Sequence, residues 1–60
     1  MPLHVLSRNE NWLVKEEGAL TALSVHPTQN EAIEAGRKKA RAVHEELIIH
    51  TRDGRVINRE

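Results

Sequence analysis

Thr28 is followed three residues later by Glu31, and from there small and apolar side chains recur at helical spacing. A threonine three residues before a glutamate is a capping box: each side chain satisfies a backbone amide that the first helical turn leaves free. At 100° per residue, Ala32, Ile33, Gly36, Ala40, Val43 and Leu47 fall within one arc of ~100°. Glu34, Arg37, Lys38, Arg41 and Glu45 fall on the opposite side. The helix therefore lies flat on an apolar surface. Three of its six inward residues are Gly or Ala, which lets its backbone come close to a sheet. Glu31 and Glu34 precede Arg37 to Arg41, the order that the helix dipole favours.

The segments around this helix supply the sheet. Leu3 to Ser7 is rich in apolar residues, Arg8-Asn9-Glu10-Asn11 is turn-prone, and Trp12-Leu13-Val14-Lys15 resumes an extended pattern. Two short runs joined by turn residues make a hairpin, with Trp12, Val14 and Glu16 on one face. Gly18 ends or bulges the second strand. Ala19 to His26 is ambiguous, although His26 before Pro27 favours extended backbone. Glu46 to His50 forms a strand rich in β-branched residues, Asp53-Gly54 marks a hairpin turn, and Val56-Ile57 returns. The expected architecture is α+β: an antiparallel sheet of three to five short strands with one helix packed on one face, in the order ββ(β)αββ. The chain forms one small domain over residues 1–60.

This order of elements resembles a family of short bacterial proteins, the domain-of-unknown-function family 2188. The residues that carry the resemblance are His4-Val5, Trp12 with Val14 and Lys15, Gly18, Thr28 with Glu31-Ala32-Ile33, Ala40, Leu47 to His50, and Asp53-Gly54-Arg55. Asn11 stands where that family commonly has Gly. The Ser/Tyr/Gly-containing stretch that follows the last hairpin in many members is absent. The resemblance implies a fold and transfers no catalytic residue.

Composition narrows the function classes. A chain of 60 residues buries only ~60% of its unfolded surface, and small domains usually need further support. With no Cys, disulfides and thiolate metal sites are excluded, so self-association is the expected remedy and a homo-oligomer the expected state. Nine basic and nine acidic residues balance, which argues against a dedicated nucleic-acid binder. No apolar run approaches the ~20 residues of a membrane span. Met1-Pro2-Leu3-His4 lacks the marks of a signal peptide, so a cytoplasmic protein is expected.

No enzyme and no cofactor are expected. Ser7, Thr21, Ser24 and Thr51 are scattered, without a nucleophile elbow or phosphate loop. Glu16-Glu17 and Glu45-Glu46 read as solvated charge. His4, His26, His44 and His50 show none of the short spacings of metal ligands, so no metal site is expected. His4 and His50 can still pair across the sheet. Trp12, the only aromatic, reads as the core anchor.

Two working surfaces are expected. Leu6, Leu13, Leu20, Leu23 and Ile48 are assigned to the sheet face away from the helix, with Leu13 and Ile48 taken as self-association residues. Arg37, Lys38, Lys39 and Arg41 form the densest basic patch, a nucleic-acid site in the alternative reading. Against that reading, Glu34–Lys38 and Arg41–Glu45 are four-residue pairs that can neutralise the patch. The leading expectation is a small non-enzymatic interaction module that self-associates.

Overall fold

The structure, a computed structural model, describes residues 1–60. Strand β1 (Leu3–Arg8) and β2 (Asn11–Glu16) form a hairpin, followed by β3 (Ser24–His26), helix α1 (Gln29–Val43), β4 (Leu47–His50) and β5 (Val56–Arg59). The sheet runs β3-β2-β1-β4-β5. The expected α+β order is present, with five strands and one helix.

One detail differs from expectation: the sheet is mixed, not purely antiparallel. β1 pairs with β4 in parallel, Leu3 beside Leu47 and Val5 beside Ile49, while the other three pairings are antiparallel. The cause is the helix. Strands joined by a tight turn come back antiparallel, whereas a helical crossover returns the chain to the end from which the first strand started. The Leu3 amide donates to the Glu46 carbonyl at 2.8 Å, which sets the two strand starts side by side.

Local chemistry accounts for the elements. The first turn has two residues, Asn9 and Glu10, both at positive φ, the backbone form whose twist suits a two-residue hairpin. Thr28 caps α1: its backbone is extended, and its Oγ1 accepts from the Glu31 amide at 3.2 Å. The helix ends on His44 in the left-handed region, and the His44 amide donates to the Ala40 carbonyl. The Thr51–Gly54 turn ends on Gly54 at φ 96°.

Packing follows the strand alternation. Leu3, Val5, Trp12, Val14, Leu47 and Ile49 face the helix and meet Ala32 and Ala40 in one core. Trp12 is buried in that core, as expected of an anchor. At Gly36 an added Cβ would lie 3.0 Å from Leu47 Cδ1 and 3.2 Å from Val5 Cγ2, so the helix sits close to the sheet. Val43 departs from the expected inward arc. It is 42% exposed, because the helix ends there and runs past the sheet contacts. Leu47 belongs to β4 and not to the helix. No helix is long and apolar enough to cross a membrane.

Candidate functional site

One helix covers one face of a five-stranded sheet, so the other face carries whatever the alternation places there. Two rows of side chains cross that face. In the first, Val25 is opposite Leu13 and Leu13 opposite Leu6. One further step of the parallel register brings Leu6 beside His50, where the β4–β5 register is broken by an irregularity that pairs His50 with Val56. In the second row, Lys15 is opposite His4, His4 beside Ile48, and Ile48 opposite Arg59.

Leu13 and Ile48, expected from sequence to face away from the helix, lie on this face but form its floor. Leu13 is 8% and Ile48 5% exposed, although neither belongs to the core under the helix. The accessible apolar atoms come from half-buried Leu6 and from Val25 at 56% exposure. Leu20 and Leu23 do not join them. Both lie in the loop between β2 and β3, outside any strand, and are exposed. The loop leaves the sheet after Gly18 at φ 80°, and β3 is only three residues long.

A chain of polar contacts crosses the same face. His4 Nε2 lies 2.8 Å from Glu17 Oε1, and His4 Nδ1 lies 2.8 Å from His50 Nε2. His50 Nδ1 lies 3.3 Å from the Gly54 carbonyl oxygen. The ring centres are 5.0 Å apart with planes 27° from parallel. With ring bonds of partial double-bond length, each nitrogen sits roughly 1.2 Å from its ring centre. The two facing nitrogens thus account for nearly the whole separation, and the rings meet end to end. Sequence reasoning anticipated a His4–His50 pair. It missed Glu17 and the Gly54 carbonyl, which depend on a turn and a loop folding over the strand ends.

The basic patch is divided. Arg37 donates through Nε and Nη2 to the Glu60 carboxylate, both at 2.8 Å, and its Nη1 lies 3.7 Å from Glu34. The hydrogen bond from Arg37 holds the Glu60 carboxyl below its usual range, and Glu60 holds the Arg37 guanidinium above its own. The expected pairs Glu34–Lys38 and Arg41–Glu45 are not formed. Glu34 meets Arg37 instead, and Glu45 meets the amino terminus at 3.2 Å. Lys38, Lys39 and Arg41 have no ion pair and point to solvent. Beside them, Arg37, Ala40, Arg41, His44, Glu45, Leu47 and Glu60 line a groove of about 500 Å³. Glu60 occupies its anionic position, so two of its cations face an internal carboxylate.

Residues 3–60 match the DUF2188 family, described as an uncharacterized protein conserved in bacteria. The chain belongs to the DUF2188 family. That match spans all five strands and the helix. No curated protein and no solved structure matches the chain.

Proposed function

We propose that this DUF2188 chain is a small non-enzymatic interaction module that self-associates through the sheet face opposite the helix. The observation that carries the reading is the row Val25, Leu13 and Leu6 on that uncovered face. Apolar side chains adjacent on three neighbouring strands form a continuous strip, and such strips are normally covered by a partner. A second copy is the partner that best fits the charges. Arg59 is paired with Glu46, the Glu17 carboxylate lies against His4, and the cations Arg8 and Lys15 lie on the side of the β1–β2 hairpin, so the face offers charges of both signs to a second copy. A two-fold axis through such a strip sets the same residues of both copies against each other. The test is gel filtration over a wide concentration range at constant salt, with Leu6→Lys and Val25→Lys. The parent elutes earlier as it is concentrated and the variants do not. A parent that elutes at one volume throughout contradicts the reading.

A second reading rests on Lys38 and Lys39, two helix cations without acidic partners, and on Arg41, which forms no ion pair but faces Glu60 in the groove. As a phosphate-binding surface, with Arg37 released from Glu60, they would grip a nucleic-acid duplex. Affinity would then fall steeply between about 50 and 200 mM salt and disappear when Lys38, Lys39 and Arg41 are changed to Ala. No retention on duplex DNA or RNA at low salt would dispose of it.

A further inference from the structure

Both outer nitrogens of the His4–His50 pair face acceptors. A carboxylate and a backbone carbonyl can only accept, so Glu17 calls for a proton on His4 Nε2 and Gly54 for one on His50 Nδ1. Two neutral imidazoles so protonated direct two bare lone pairs, His4 Nδ1 and His50 Nε2, at each other across 2.8 Å. That arrangement is repulsive unless a positive charge lies between them. A proton is one such charge and a metal ion is another.

We infer that His4 Nδ1 and His50 Nε2 form a two-histidine site for a borderline divalent transition-metal ion such as Zn²⁺. Metal-bound histidines characteristically donate their other ring N–H to a carboxylate or a backbone carbonyl, which fixes the tautomer and makes the ligand more basic. Here both kinds of orienting partner are in place, one on each ring. Two nitrogens bound tetrahedrally at ~2.0–2.1 Å lie roughly 3.3 Å apart, so the nitrogens need to separate by about 0.5 Å and each ring to swing by roughly 35° from the present end-to-end line, a rotamer adjustment at the exposed edge of the pair. Both ligands are side chains on adjacent parallel strands, a rigid base for such a site. No third ligating side chain converges on the position, so water completes the coordination of a single chain. The charged groups nearest the pair are Glu17, which offsets the ion, Lys15 opposite His4, and Arg59, which is held by Glu46. The site does not depend on the pairing of two chains.

The test uses the full chain with Zn²⁺ as the probe. Calorimetric titration gives the affinity, and long-range ¹H–¹⁵N spectra of the imidazole rings report which nitrogens change. The expected result is saturable micromolar binding, with shifts at His4 Nδ1 and His50 Nε2 and none at His26 or His44. His4→Ala and His50→Gln each lower the affinity at least about tenfold. Glu17→Gln lowers it by about 10- to 100-fold, the range for an orienting carboxylate, while leaving the metal-free circular dichroism unchanged. The inference is overturned by the absence of saturable binding, by parent-like affinity in both histidine variants, or by shifts confined to His26 and His44. In the last two cases the pair holds a proton only.

Discussion

At the scale of single residues, the ends of α1 are where a change of a few atoms has a calculable effect. Thr28 Oγ1 satisfies the Glu31 amide, so Thr28→Ala should lower stability by about 1 kcal/mol. Urea denaturation measures it, and an unchanged midpoint would mean the cap contributes nothing. At the other end, His44 occupies the left-handed region with a β-carbon, where glycine is at ease. His44→Gly should therefore raise stability by up to ~1 kcal/mol in the same assay. In the core, even a β-carbon at Gly36 would press on Leu47 and Val5 at 3.0 and 3.2 Å. Gly36→Leu should cost ~1–3 kcal/mol or more through overpacking, and Ala40→Leu should cost a comparable amount. The Thr28 cap and the inward Gly36 and Ala40 were legible in sequence because capping and helical spacing are local. Val43 was misread because the arc continued past the helix end, and only the left-handed turn at His44 shows where the helix stops.

At the scale of elements, the helix is tied to the end of the last strand by Arg37 and Glu60. Glu60 has a lowered carboxyl pKa when folded. Its contribution is thus complete above the unfolded carboxyl value, about 4.3, and is lost as pH falls through the lower folded value. Glu60→Gln should therefore be less stable than the parent at pH 7, and the two should converge on strong acidification. Urea midpoints at pH 7, 5 and 3 check this, and a gap that persists at the lowest pH would contradict it. The pair is partly solvated, so the gap is small and shrinks with salt. This contact was not legible: Arg37 and Glu60 are 23 residues apart, and helix spacing offered Arg41–Glu45 and Glu34–Lys38 instead. The hairpin turns were legible from Asn9-Glu10 and Asp53-Gly54. The parallel partner of β1 was not, because strand propensity carries no direction and the helical crossover decides it.

At the scale of the whole molecule, the account turns on the uneven covering of the sheet. One face is sealed by Ala32, Gly36 and Ala40 of the helix, and the other leaves Leu6 and Val25 in contact with water. Sequence alternation assigned Leu13 and Ile48 to the open face correctly. It could not tell that both are nearly buried there, at 8% and 5% exposure, because burial depends on how the whole sheet is assembled. For the same reason His4 and His50, 46 residues apart, became a site only once β1 and β4 were side by side. The proposed function has this face join two copies. It is tested most directly by sedimentation equilibrium from micromolar to millimolar protein at constant salt. A monomer–dimer equilibrium, shifted toward monomer by Leu6→Lys, is the predicted result. A monomer mass at every concentration would contradict it and show that one chain is stable with its sheet face in water.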